Sequence, residues 1–386
     1  MTAGELPGPA AGYASMDQLT ARGARPDADQ RPLEPALPAE TVRLQLDEPL
    51  PEGEEPVAHD VSAVAHVGDT LFLAADECAH VEVLDRADDG LWSNHRRVRL
   101  ADLFDLPHKA DEMDVEGLAA DEDWLWIVGS HSRTRKKPKK HKPVDAAAVD
   151  RMAELKANPN RMFLGRLPLI RLADGRWGVG GVDGIDPRDR KPEMMSIGAH
   201  GSALYKALKH DPHLGPFTKI PAKENGLDVE GIAADGPRVA VGLRGPVING
   251  WACVVEFRVR GGAGVLKLDG AVSKRWLDLE GLGIRDLKRD GRDLLILAGP
   301  SMALDGPAAV WRWRDWVGSP PEGEDARLKI DVEKVLELPY GRGCDHPEGI
   351  APWDCVDGGP ALLVVSDSPA RARLSGGSVT ADVFRL

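Results

Sequence analysis

A six-residue pattern recurs at wide intervals along this chain, and it limits the fold more than any other feature. It reads Asp114-Val115-Glu116-Gly117-Leu118-Ala119, Asp228-Val229-Glu230-Gly231-Ile232-Ala233, Asp278-Leu279-Glu280-Gly281-Leu282-Gly283 and His346-Pro347-Glu348-Gly349-Ile350-Ala351, with a degenerate copy at Asp60-Val61-Ser62-Ala63-Val64-Ala65. Self-similarity at periods of about 40 to 50 residues is the mark of radial or stacked arrays in which each repeat is one supersecondary unit. After each copy comes a turn and then an aliphatic run, such as Trp124-Leu125-Trp126-Ile127-Val128, Leu294-Leu295-Ile296-Leu297 or Ala361-Leu362-Leu363-Val364-Val365. Further strand candidates follow, among them Val81 to Leu84 and Ala309 to Trp313, so each unit reads as three or four antiparallel strands. The expected fold is all-β, a β-propeller. Gly 42 and Pro 30 fit a chain of many tight corners.

The spacing from Ser62 to Glu116, Glu230, Glu280 and Glu348 runs 54, 114, 50 and 68 residues. Five blades are favoured, with helical and loop insertions in the second blade region at about 133–160 and 184–225; a sixth blade inside the long interval is the alternative. Helical pieces are expected at Ala146 to Ala157 and Ala203 to His210. Residues 1–40 have almost no β-branched or aromatic side chains and read as a disordered or loosely attached tail ahead of a single domain over 41–386. Thr41 to Asp47 alternates polar and apolar and is expected to pair with the last strand near Ala381 to Leu386, closing the ring.

The net charge of −13 argues against a general nucleic-acid coater. No apolar stretch is long enough to span a membrane and no secretory leader is legible, so a cytoplasmic location with no membrane partner is expected. Four cysteines without a CxxC pair read as reduced thiols.

In a strand, residues i and i+2 face the same side, so Asp114 and Glu116 project together. If every copy begins the innermost strand of its blade, Glu116, Glu230, Glu280 and Glu348 meet around a common tunnel, with Ser62 in the fifth slot. Glycine after each glutamate suits strands that converge with little room for a Cβ. Four carboxylates about 5 Å apart repel by about 3 kcal/mol per pair at an effective dielectric near 20. A hard cation would relieve this, Ca²⁺ first and Mg²⁺ second, held by those four glutamates and Ser62. The alternative is a repeated staple in which each glutamate accepts backbone hydrogen bonds from the next blade.

The candidate substrate contacts are cationic. Arg133, Arg135 and Lys136 open a run to Lys142 with seven Lys or Arg in ten positions, beside His131. The run suits a small anionic substrate, with nucleic acid as a second choice through residues 133–142; a solvated loop is the plainer reading. Arg244 in Gly242-Leu243-Arg244-Gly245-Pro246 and Arg342 in Gly341-Arg342-Gly343 are placed in loops where a guanidinium grips phosphate or carboxylate. His346, two residues before Glu348, is the candidate general acid or base. Asp76-Glu77, Glu112 and Asp367 are rim candidates without an assigned role.

The block Lys223-Glu224-Asn225-Gly226-Leu227-Asp228-Val229-Glu230-Gly231-Ile232-Ala233, continuing to Gly242-Leu243-Arg244-Gly245-Pro246 and Trp251-Ala252, resembles the domain of unknown function 3616 family of bacteria. With the other Glu-Gly copies and Ser366-Asp367, the resemblance covers about residues 55–386 and implies a propeller-like fold without an activity. A looser architectural likeness is to the calcium-activated apyrases, five-bladed propellers whose central Ca²⁺ is held by Glu and Ser. Together these expectations describe a metal-dependent hydrolase of a phosphoester or phosphoanhydride, with a non-catalytic module that binds a protein or nucleic acid as the alternative.

Overall fold

The computed structural model describes residues 34–46, 56–75, 78–87, 90–109, 112–121, 123–136, 145–319, 327–328, 330–341, 344–356 and 358–386. The expected tail lies almost wholly outside them. The molecule is a β-propeller. The described strands group into five antiparallel units, here called blades 1 to 5, and each begins at or just after one copy of the repeated pattern.

Blade 1 comprises Val61–Val67, Thr70–Ala75, His80–Arg86 and Trp92–Arg99; blade 2 comprises Val115–Asp121, Trp124–Gly129, Leu164–Arg171 and Glu193–Met195. Blade 3 runs Asp228–Asp235, Arg238–Ile248, Trp251–Gly262 and Ser273–Asp278, and blade 4 runs Gly283–Asp290, Asp293–Gly299, Ala308–Trp313 and Glu333–Leu338. Blade 5 takes three strands from the end of the chain, His346–Val356, Gly359–Asp367 and Ser378–Arg385, and its fourth, Glu40–Gln45, from the start. That fourth strand pairs from Glu40↔Val383 to Gln45↔Ser378, so the closing strand expected at Thr41 sits where the alternation placed it.

Burial explains why the second strands are continuous apolar runs rather than alternating ones. Each is covered on both faces by neighbouring blades, and Thr70–Ala75 is buried at every position. The core is divided accordingly into five clusters, one per pair of neighbours. Leu118 and Leu125 of blade 2 meet Ala63 and Phe72 of blade 1, and Trp126 meets Val229 and Val239 of blade 3. Ala233 meets Leu287, Leu297 meets Leu362, and Leu363 returns to Val64 and Leu71 of blade 1.

Glycine sets how close the first strands come. A Cβ on Gly117 would lie 3.0 Å from the backbone of Gly231, one on Gly231 2.4 Å from the backbone of Leu287, and one on Gly349 3.3 Å from Ala63. Any side chain there would push neighbouring blades apart.

Outer strands carry a second repeated device, a buried carboxylate under arginine. Glu82 receives Arg97 Nε at 2.9 Å, His80 Nδ1 at 2.7 Å and His95 Nε2 at 2.5 Å. Burial alone would raise the pKa of Glu82, but these partners outweigh it and hold the carboxyl at about 2. Its contribution to stability is therefore present above its unfolded value of 4.5 and is lost as pH falls towards 2. Glu256, in the third strand of blade 3, accepts from Arg238, from Arg275 Nε at 2.8 Å and from Trp316 Nε1 at 2.6 Å.

The first inserted region carries a hairpin of Arg133–Arg135 with Leu155–Ala157 around a helix, Ala146–Met152. The second carries a helix at Ala203–His210, where Ser202 caps the N-terminus by accepting from Tyr205 N. No helix among the described residues is long and apolar enough to cross a membrane.

Replacing Glu256 by Ala strands two buried guanidinium groups in the outer layer of blade 3. Chemical denaturation should show a loss of about 3–5 kcal/mol; a loss under 1 kcal/mol would mean that water compensates the arginines.

Candidate functional site

Near its start each first strand carries a bulge that the ladder to its neighbour skips, and the five bulges occupy equivalent positions around the ring. The register jumps past Ser62 in blade 1, Glu116 in blade 2, Glu230 with Gly231 in blade 3, Arg285 in blade 4 and Glu348 in blade 5. A β-bulge of this kind re-aims a side chain and is common beside functional sites. Four of the five are residues expected to converge. The fourth slot differs: it holds an arginine.

Glu280 is not in the ring. The Asp278-Leu279-Glu280-Gly281 copy is the turn that joins blade 3 to blade 4, Glu280 has φ 59°, and its carboxylate takes Lys334 Nζ at 2.6 Å near the surface. Half of that side chain is exposed. Blade 4 starts later than its motif because the motif resemblance is a turn sequence here, and Arg285-Asp286-Leu287 runs where Glu-Gly-Ile runs elsewhere. A spacing could have found this. In blades 1, 3 and 4 the slot residue stands six positions ahead of the first residue of a two-residue hairpin turn, Gly68, Gly236 and Gly291.

Arg285 supplies the positive charge that the glutamates need. Its Nε lies 3.0 Å from Glu230, and its other end is paired with Glu348. Arg244, from the second strand of blade 3, reaches the other oxygen of Glu230 at 2.8 Å and Asp228 at 2.5 Å. Asp228, Arg244, Glu230, Arg285 and Glu348 thus form one alternating chain of charge across three blades. A parallel arrangement exists in blade 2, where Arg161 donates at 2.6 Å to both Asp114 and Glu112 and at 3.2 Å to Ser132 Oγ.

Burial dominates the electrostatics. Desolvation raises the pKa of Asp228 to about 7, against the pull of Arg244, while Glu230 and Asp114 add to the rise. Desolvation likewise raises Asp114, with Arg161 opposing. For Arg244 burial works against the charge, but Asp228, Glu230, Glu116 and Asp114 outweigh it and hold the guanidinium above its ordinary value. Arg244 and Asp228 face each other as an ion pair rather than as an aligned hydrogen bond, and Arg244 Nε is a buried donor without an acceptor.

These groups open onto a basin of about 420 Å³ whose wall includes Asp114, Glu116, Asp228, Arg244 and Glu348. Its outer wall comes from the inserted hairpin and from Lys223 and Glu224. Arg133, Arg135 and Lys136 line it, but Arg135 is clamped on Glu224 and Lys136 on Glu154, and Arg133 Nε donates to the Thr218 carbonyl at 3.1 Å. Glu112 and Asp367 line the basin too. His131 does not; its ring is buried, its Nδ1 lies 2.8 Å from the Gly129 carbonyl oxygen, and burial lowers its pKa to about 4. His346 is exposed on the rim of an adjoining compartment. Arg342, Asp76-Glu77 and the run from 137 to 144 lie outside the described residues.

The donor set does not fit calcium. A Ca²⁺ site requires six to eight oxygens free to point at one ion, whereas both oxygens of Glu230 and one of Glu348 are taken by guanidinium groups. Ser62 Oγ donates to the Val115 carbonyl oxygen at 2.8 Å, tying blade 1 to blade 2. Among the described residues no group of three or more His, Cys, Asp or Glu is arranged to hold a metal. No chemical step below runs through a cation. Sequence reasoning missed Arg285 and Arg161 because nothing local marks an arginine as a ring member, and it gave no role to Asp114 and Asp228, whose significance lies in burial beside Arg161 and Arg244.

A family model described as "Protein of unknown function (DUF3616)" matches residues 60–382. Solved structures similar to the chain include a glutaminyl cyclase from Myxococcus xanthus, at 8% identity, 92% of this chain and 100% of that one, with a TM-score of 0.40. An exo-1,5-alpha-L-arabinanase from a bovine ruminal metagenomic library is 10% identical over 84% of this chain and 93% of its own, at 0.37. The Cps50 (Swd1) beta-propeller domain of Myceliophteria thermophila is 12% identical over 83% and 82%, at 0.29. Likenesses this slight carry no argument, and the fold stands on the strand topology. No curated protein matches the chain.

Two substitutions separate ring from motif. Glu280→Ala should alter stability by no more than about 0.5 kcal/mol. Arg285→Leu leaves Glu230 short of a partner and should cost about 3–5 kcal/mol in urea denaturation. Equal effects would contradict the placement. A pH series offers a further check: Asp228 binds its proton more tightly folded, at about 7, than unfolded, at 3.8, so its contribution to stability is full below about 4 and falls as pH rises towards 7. Asp228→Asn should flatten that slope without abolishing it, since Asp286, raised by burial to about 6, contributes in the same direction.

Proposed function

The chain belongs to the family described as "Protein of unknown function (DUF3616)", a description that carries no activity, and from the site itself we propose that the protein is a hydrolase of a small anionic substrate, a phosphoester or phosphoanhydride, acting in the basin at the mouth of the ring. The observation that carries this reading is a buried carboxyl group, Asp228, set against the guanidinium of Arg244 in the wall of one cavity, where burial pushes its pKa up to about 7. A general acid or base works best when its pKa lies near the operating pH.

Two buried carboxyl groups with mutual influence, Asp114 and Asp228, divide the proton work. As water attacks phosphorus, the ionised member of the pair takes the proton of the water. The protonated member gives its own to the leaving oxygen as the P–O bond breaks. Arg244, with an unspent Nε donor, neutralises charge that develops on the phosphoryl oxygens. Lys223 and Lys156, on the wall of the same basin, draw the anion in.

A second reading, a non-catalytic module for a protein or nucleic-acid partner, is favoured by the pairing of both oxygens of Glu230 and one of Glu348 with arginine, which makes the ring a rigid scaffold. Turnover decides between them. The wild type should hydrolyse members of a panel of nitrophenyl phosphates and nucleotides, and Asp228→Asn should reduce turnover by about 10²–10⁴-fold with an undiminished melting temperature. Binding of phosphate without turnover of any substrate would establish the second reading, and an active Asp228→Asn would remove Asp228 from the mechanism.

A further inference from the structure

Beside the basin lies a compartment of about 320 Å³ of different character. Its walls come from the loop after the second strand of blade 4, Pro300 and Met302 to Gly306, and from Tyr340 and Asp345 to Pro347 ahead of blade 5. Three of the large apolar side chains the protein exposes stand here together: Met302 at 43%, Leu304 at 62% and Tyr340 at 49% exposure. Pro300 and His346 complete the apolar and planar part of the lining. Exposed apolar side chains gathered in one concave place, next to charged groups, are a feature of ligand sites rather than of ordinary surface.

The compartment is not separate from the basin. Lys223, Arg244, Glu348 and Asp367 line both. The two are also tied mechanically, because Glu224, next to Lys223 in the basin wall, makes a β-bridge with Met302. A ligand whose anionic group rests on Arg244 and Lys223 therefore has this neighbouring space for the rest of its mass, walled in part by a phenol ring, a thioether and aliphatic groups, with Asp305, Asp345 and Ser368 among the polar remainder.

We propose that the substrate of the basin is a phosphate ester of a planar aromatic ring, an aryl or nucleoside phosphate, with the phosphate at Arg244 and Lys223 and the ring against Tyr340, Met302 and Leu304. The proposal rests on the anionic reading of the basin and adds the identity of the leaving group. Aromatic stacking on Tyr340 and the sulfur–ring contact of Met302 supply the recognition. An ester with a small aliphatic group would fill the anion site and leave the apolar wall wet.

Calorimetric titration of the full chain with methyl phosphate and with phenyl phosphate tests this by binding alone. Phenyl phosphate should bind at least tenfold more tightly than methyl phosphate. In Tyr340→Ala and Met302→Ala, both at exposed positions where folding is not at stake, that advantage should shrink severalfold while methyl phosphate binding stays unchanged. Equal binding of the two esters by the wild type overturns the aromatic subsite and leaves the anion site standing. An advantage that survives both substitutions places the ring elsewhere and overturns it as well. Failure of both esters to bind removes the anionic reading of the basin, and this proposal with it.

Discussion

Everything in this molecule depends on five strands approaching one another more closely than side chains ordinarily allow, with charge at the point of approach. The glycines at 117, 231 and 349 remove the Cβ atoms that would hold the strands apart, and the bulged residues ahead of them are left facing a crowded, poorly solvated mouth. Carboxylates in such a place require compensation, because desolvating them costs several kcal/mol each. The chain provides it internally, through Arg285 between Glu230 and Glu348 and through Arg244 between Glu230 and Asp228. Specific ion pairs across three blades also fix the order and angle of those blades, a role that apolar packing alone, being non-directional, does not perform.

The same compensation leaves two groups unsettled, and these are the chemically interesting ones. Asp114 and Asp228 are both buried, and burial raises the pKa of each. A carboxyl group that holds its proton near neutrality is costly for stability and useful for proton transfer, the pattern expected where a fold departs from its most stable arrangement at a functional site. The outer layers show the contrasting case. Glu82 is just as buried, yet Arg97 and the hydrogen bonds of His80 and His95 hold its pKa at about 2, and it opens onto no described cavity. Depth alone does not distinguish a site from a strut; the balance of partners does.

Much of the fold was legible from the repeated pattern, because glycine and the aliphatic runs report steric and burial requirements that hold in every blade. The ring-closing strand at Glu40–Gln45 and the helix at Ala203–His210 followed from alternation and composition in the same way. The site was legible only in part. Ser62, Glu116, Glu230 and Glu348 occupy equivalent bulges, but Glu280 imitates the pattern in a turn whose glycine serves a positive φ rather than a close approach. Arg285 was hidden for the complementary reason: it satisfies the geometry of the slot while changing its chemistry, and a search for like residues passes over a residue of opposite charge. Arg161 was hidden because it reaches Asp114 from a turn 47 positions away in sequence.

Internal guanidinium groups compensate the glutamates of the ring. The most direct test is native mass spectrometry of the purified full chain, dialysed and then returned to millimolar calcium, with a thermal melt recorded in parallel. A ring neutralised from within should give a mass without stoichiometric calcium and a melting temperature unchanged by calcium or by chelator. One calcium per chain, accompanied by a rise in melting temperature that chelation reverses, would contradict it.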